Sequence, residues 1–182
     1  MRKVLIVALA AIIALGSAAA MAEPLQSRES TIVVEGTEES ITELLYESVN
    51  GFSLWYPVEN FLLVHENGID IVYPADEEIE NVSMTIVPVD IPTDEAAALI
   101  DEAIGNYDAE KDTIGDVTEG ELDSGLNIKY VEVLSEGMVN RFYLITGEDK
   151  VFCLNAAFPV EATEGFGTRL ERIVFTMELT NQ

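Results

Sequence analysis

Residues 127–158 read NIKYVEVLSEGMVNRFYLITGEDKVFCLNAAF, and this run decides the fold. Three apolar segments, 127–134, 138–146 and 151–158, are separated by Ser135-Glu136-Gly137 and Gly147-Glu148-Asp149-Lys150. Breaks this short join antiparallel neighbours, so the run predicts a β-meander. Another turn at Asp123-Ser124-Gly125 adds a strand in front of it. Pro159 ends the last strand, and residues 161–174 predict a helix. The whole stretch 116–174 therefore reads as four strands in a row closed by a helix.

The two faces of the last strand say how it is packed. Phe152, Leu154, Ala156 and Phe158 point one way; Val151, Cys153 and Ala157 point the other, interrupted only by Asn155. A sheet with one wet face alternates apolar with polar, whereas here both faces need cover. Phe166, Leu170, Ile173, Val174 and Met177 form a helical stripe that supplies one cover. Gly165 and Gly167 weaken the first turns of that helix and suggest close approach to the sheet. The second cover is a helix opened by Pro92-Thr93-Asp94-Glu95, with Thr93 as N-cap and Ala96, Leu99, Ile100, Ala103, Ile104 and Tyr107 as its stripe. The expected fold class is α+β: an α-β-α sandwich, an antiparallel sheet with helices on both faces, preceded by an N-terminal hairpin.

That hairpin is expected over residues 31–47, turning at Gly36-Thr37-Glu38-Glu39. Residues 52–57 then place Phe52, Leu54 and Tyr56 on one face and Trp55, a core or rim residue, on the other. Asn67-Gly68 between 61–66 and 69–73 is the strongest hairpin signal, because this pair takes the positive φ angles of a type I′ turn. A strand over 82–89 completes the set.

Residues 1–22 carry the pattern of a secretory signal peptide. Arg2 and Lys3 precede an apolar run, 4–15, too short for a comfortable membrane span, and Ala20-Met21-Ala22 forms a cleavage site. A flexible leader, 23–30, and a single domain, 31–182, are expected to follow. Export places the protein in the periplasm or outside the cell, with no membrane span after cleavage. The chain has 34 acidic against 9 basic side chains, and cleavage would remove two of the basic ones. Such acidity disfavours nucleic acid and anionic lipid as partners and leaves a protein partner, of basic character among the options. The 48% hydrophobic content argues for a packed core despite the charge.

Little reaction chemistry is legible. The one histidine, His65, sits beside the Asn-Gly turn and is expected to face solvent, with no zinc-protease or nucleophile-elbow motif around it. Cys153 is the one cysteine, so no intramolecular disulfide forms, and its apolar strand suggests an inert thiol. No catalytic residue and no organic cofactor is assigned. Asp108, Glu110, Asp112, Asp116 and Glu119 fall at positions 1, 3, 5, 9 and 12 of a loop of EF-hand length. Thr113 stands where the sharp turn requires glycine and no helix follows, which excludes a true EF-hand. The five residues are the candidates for a weak Ca²⁺ site.

Three stretches carry a resemblance. Gly51-Phe52-Ser53-Leu54-Trp55-Tyr56-Pro57 is similar to a GFSLxxP opening strand, residues 93–107 to a first helix, and 150–159 with 161–177 to a last strand and closing helix. Together they resemble the PsbP-like fold, shared by the PsbP photosystem subunits and a Ran-binding family, over residues 46–179. The resemblance implies the α-β-α sandwich and implies binding or accessory roles more often than catalysis. No photosystem motif is present, and no metal ligands or photosynthetic role are carried over. The function expected is an exported, non-enzymatic interaction or accessory module. Its rivals are a small secreted carboxylate-dependent hydrolase and a divalent-cation-binding protein.

Overall fold

The computed structural model describes residues 26–180, so the expected signal peptide, 1–22, and the first residues of the expected leader lie outside the described residues. Twelve strands form two antiparallel sheets. The smaller sheet contains β1 (Ser27–Val34), β2 (Thr37–Ser48), β3 (Phe52–Pro57) and β12 (Glu178–Leu179) in that spatial order. The larger one runs β4 (Phe61–Glu66), β5 (Ile69–Pro74), β6 (Ser83–Val89), β11 (Lys150–Pro159), β10 (Met138–Gly147), β9 (Asn127–Ser135) and β7 (Thr113–Ile114), with β8 (Thr118–Glu121) also pairing β9. The meander thus forms as β9–β10–β11, with Tyr143 opposite Leu154 on one side and Tyr130 on the other.

Three hairpins turn on two residues with positive φ: Glu35-Gly36, Asn67-Gly68 and Glu136-Gly137. Both left-handed angles suit the type I′ turn, whose twist matches that of the strands it joins. The first turn is tighter than the expected Gly36–Glu39 loop, so β2 is long and pairs along all of β1, from Ser27 opposite Leu44 to Val34 opposite Thr37. β1 begins inside the stretch expected as leader.

The expected α-β-α sandwich does not form. The described residues are mostly β, 53% strand and 15% helix, with two sheets and two short helices. The expected first helix, 93–107, shrinks to α1 (Ala98–Ile104), and Thr93 makes no cap. Residues 93–98 instead wind on bonds three residues back, Ala96 N–H to Thr93 O and Ala98 N–H to Glu95 O. The expected second helix opens as a 3₁₀ turn (Val160–Ala162) and a π turn (Thr163–Gly167) before α2 (Thr168–Phe175). Gly167 is why the π turn can approach the sheet: a Cβ there would stand 2.9 Å from the Phe158 ring. Gly165 has open space and no such role.

Both faces of β10 and β11 are covered, as their sequence requires, but a sheet supplies much of the cover. Phe52 and Leu54 of β3 join Tyr143, Ile145, Phe152, Leu154 and Phe158 in one core, which α2 seals with Leu170, Ile173 and Val174. Phe52 and Phe152 meet edge-on, ring centroids 5.4 Å apart. The opposite face, Val131, Leu144 and Val151, packs on Ala96 and Ile100. An apolar strand face records that it is buried but not whether a helix or a second sheet buries it.

Candidate functional site

The small sheet meets the end of α2 around a fully buried carboxylate, Glu43 of β2. Arg28 of β1 approaches from one side, its Nε donating to Glu43 Oε2 at 2.6 Å. Arg172 of α2 approaches from the other, its Nε donating to Oε1 at 3.1 Å. Burial works to raise the Glu43 carboxyl, but the hydrogen bonds from Arg172 and Arg28 outweigh it and hold the group below its ordinary value of 4.5. Because the folded-state value is depressed, the stabilisation is complete above the unfolded value and is lost as pH falls through the lower folded one. Melting temperatures of the wild type and of Glu43→Gln should therefore converge in the acid range. A gap that stays constant on acidification would contradict this placement of Glu43.

The guanidinium groups of Arg28 and Arg172 are only partly used. Among the described residues, the hydrogen bonds to both run through Nε alone, leaving each terminal Nη pair without a protein acceptor. The other two described arginines differ. Arg141 gives Nη2 to Glu132 and Nη1 to Glu171, and Arg169 gives Nη2 to Glu39 and Nη1 to the Gly165 carbonyl. Two arginines thus act as structural clamps, while two present unspent planar forks of the kind that match a carboxylate or phosphate.

Arg28 and Arg172 both line a cavity of about 230 Å³ at the end of α2. Trp55 of β3 forms part of its wall, with the Arg28 guanidinium stacked 4.3 Å from its ring centroid. Thr176 fixes that wall. Its hydroxyl takes the Trp55 N–H at 2.9 Å and lies 2.8 Å from the Ile173 carbonyl, so it ties the C-terminal end of α2 to β3. Ser124 donates to the Met177 carbonyl at 2.7 Å, which draws the 123–125 turn to the same place. β12 then pairs with β3, Glu178 opposite Ser53. Asp123 and Glu178 line the cavity from these last two segments.

A second polar cluster lies on the large sheet. Asp70 of β5 is fully buried and accepts three bonds, from Tyr46 Oη at 2.5 Å, Ser48 Oγ at 2.7 Å and Asn50 Nδ2 at 2.8 Å, and its Oδ1 lies 3.0 Å from His65 Nδ1. Burial, then the bond to Asp70, pushes the Tyr46 hydroxyl well above its ordinary range. His65, expected to face solvent, is therefore anchored to a buried carboxylate, with about a third of its side chain exposed. The cluster ties the end of the small sheet to the β4–β5 hairpin.

Three of the five candidate cation residues, Asp108, Asp112 and Glu119, make local contacts. Lys111 and then the Glu110 N–H hold Asp108 below its usual carboxylate range; Asp112 takes the Asp108 N–H; Glu119 pairs with Lys129 at 2.6 Å. Asp116 sits between β7 and β8. Among the described residues no three acidic, histidine or cysteine side chains converge in a way that could hold a metal ion. Cys153 packs beside α1, and burial, then the nearby Glu102, pushes its thiol up.

No protein-family model and no curated protein sequence matches the chain. Solved structures do. Cyanobacterial PsbP (CyanoP) from Synechocystis sp. PCC 6803 superposes with a TM-score of 0.54 at 11% identity, covering 74% of this chain and 91% of that one. The fold is PsbP-like. A structure from Bacteroides thetaiotaomicron VPI-5482 superposes with a TM-score of 0.51 at 14% identity over 76% of this chain, which spans about half of that longer protein, 48%. Likeness at this identity is one of fold. Among the described residues no helix is long and apolar enough to cross a membrane.

Proposed function

We propose that this chain is an exported, non-enzymatic binding module that takes up an anionic group in the cavity between β1, β3 and the end of α2. The unspent guanidinium forks of Arg28 and Arg172 support this reading most directly. Positive charge is scarce in this protein, with 9 basic against 34 acidic side chains, yet two arginines meet here with their terminal nitrogens unoccupied. Glu43 cancels one of the two charges, so the pair keeps a net positive charge and four donor nitrogens. Export rests on the signal pattern of residues 1–22, and an accessory role is compatible with the PsbP-like neighbours.

Trp55 is the chain's one tryptophan, and Arg28 is stacked on it, so its fluorescence reports on the site. Titration with citrate should change the Trp55 emission saturably. Arg28→Lys and Arg172→Lys keep the charge opposite Glu43 but remove the fork, and each should weaken binding about tenfold, the loss of one charge-assisted bond or two. A response that is absent, or unchanged in both variants, would overturn the reading.

A further inference from the structure

The cavity has a second pole. Asp123 and Glu178 line it opposite in charge to the arginines, and both are exposed. Among the described residues neither carboxylate forms an ion pair, although every basic side chain except Lys150 is held in one. The two carboxylates therefore lie beyond ion-pairing distance of Arg28 and Arg172 while sharing one small space with them. Two free carboxylates on the wall work against a simple anion held by the arginines, because charges still interact through partly excluded water. A ligand carrying charge of both signs meets no such opposition.

We infer that the cavity takes a small zwitterion, its carboxylate on the Arg28 and Arg172 forks and its ammonium against Asp123 and Glu178. This inference rests on the anion-binding reading above and adds the second pole. The volume of about 230 Å³ suits a molecule of amino-acid size, below the usual range for larger organic ligands. Phe175, an exposed apolar residue of the lining, offers a surface for the segment that joins the two charges.

Three compounds of matched length separate the possibilities: pentanoate, 5-aminopentanoate and pentylamine. Calorimetric titration of the wild type should rank 5-aminopentanoate first, about fivefold tighter than pentanoate, as a partly exposed ion pair supplies. The double variant Asp123→Asn/Glu178→Gln alters exposed side chains only. It should erase that preference while pentanoate binding persists or improves. Arg172→Lys should weaken both acids. Equal binding of pentanoate and 5-aminopentanoate, dependent on Arg172, would overturn the zwitterion and leave the anion site standing. No arginine-dependent binding of either acid would overturn both. Preference for pentylamine would overturn the assignment of the arginines as the recognising pole.

Discussion

Asp70→Ala should cost about 3–5 kcal/mol of folding stability, the size seen when one partner is removed from a buried charged network. The Asp70 oxygens gather donors from three separate elements: Tyr46 and Ser48 from β2, Asn50 from the β2–β3 turn, and His65 from β4. Alanine would take away the acceptor of the Tyr46 hydroxyl and of the buried Ser48–Asp70 bond, while Asn50 Nδ2 keeps the Gly68 carbonyl at 3.1 Å. The effect should greatly exceed that of His65→Gln, because His65 is partly exposed and water can replace its partner. Urea unfolding of the three proteins measures this. A loss for Asp70→Ala below about 1 kcal/mol would mean that the network is hydrated and does not join the sheets.

Phe152→Ala should be as damaging, about 3–5 kcal/mol, the usual result of emptying a buried aromatic position. Phe152 is 1% exposed and stands where β11 of the large sheet meets Phe52 of β3. Its removal opens a void between the two sheets rather than beneath a surface helix, so neither layer can close over it without moving the other. Chemical denaturation reads the change. A midpoint within error of the wild type would place Phe152 outside the core and undo the two-sheet packing.

Much of the strand framework was legible. The β9–β10–β11 meander follows from apolar runs and short polar breaks, and Asn67-Gly68 marks its hairpin directly. Glu35-Gly36 and Glu136-Gly137 make the same kind of turn with less distinctive residues, so the sequence marks the first less sharply than Asn67-Gly68. Burial of both faces of β11 was also legible, but its cover was not. Helical stripes at 96–107 and 166–177 suggest two full helical layers, whereas the second winds partly into 3₁₀ and π turns and α2 shares the inner face with β3.

The site divides in the same way. His65 and Asp70 could have been paired from sequence, because a two-residue turn at Asn67-Gly68 sets residue 65 opposite residue 70. An aspartate in phase with Val72 on the inward face of β5 then calls for partners. The Arg28–Glu43 pair follows in the same way from the turn at Glu35-Gly36, which sets residue 28 opposite residue 43, in phase with Ile41 on β2. Arg172 had no such signal: it lies 129 residues from Glu43, and only the docking of α2 on the first hairpin brings it there.

In the proposed site, Arg28 and Arg172 keep their terminal nitrogens for a ligand while Arg141 and Arg169 do not. Nitrogen-15 NMR of the arginine side chains during titration with citrate, with resonances assigned by single Arg→Lys variants, tests this. Saturable shifts are expected at Arg28 and Arg172, with Arg141 and Arg169 unmoved. Equal shifts at all four arginines, or none at Arg28 and Arg172, would contradict it.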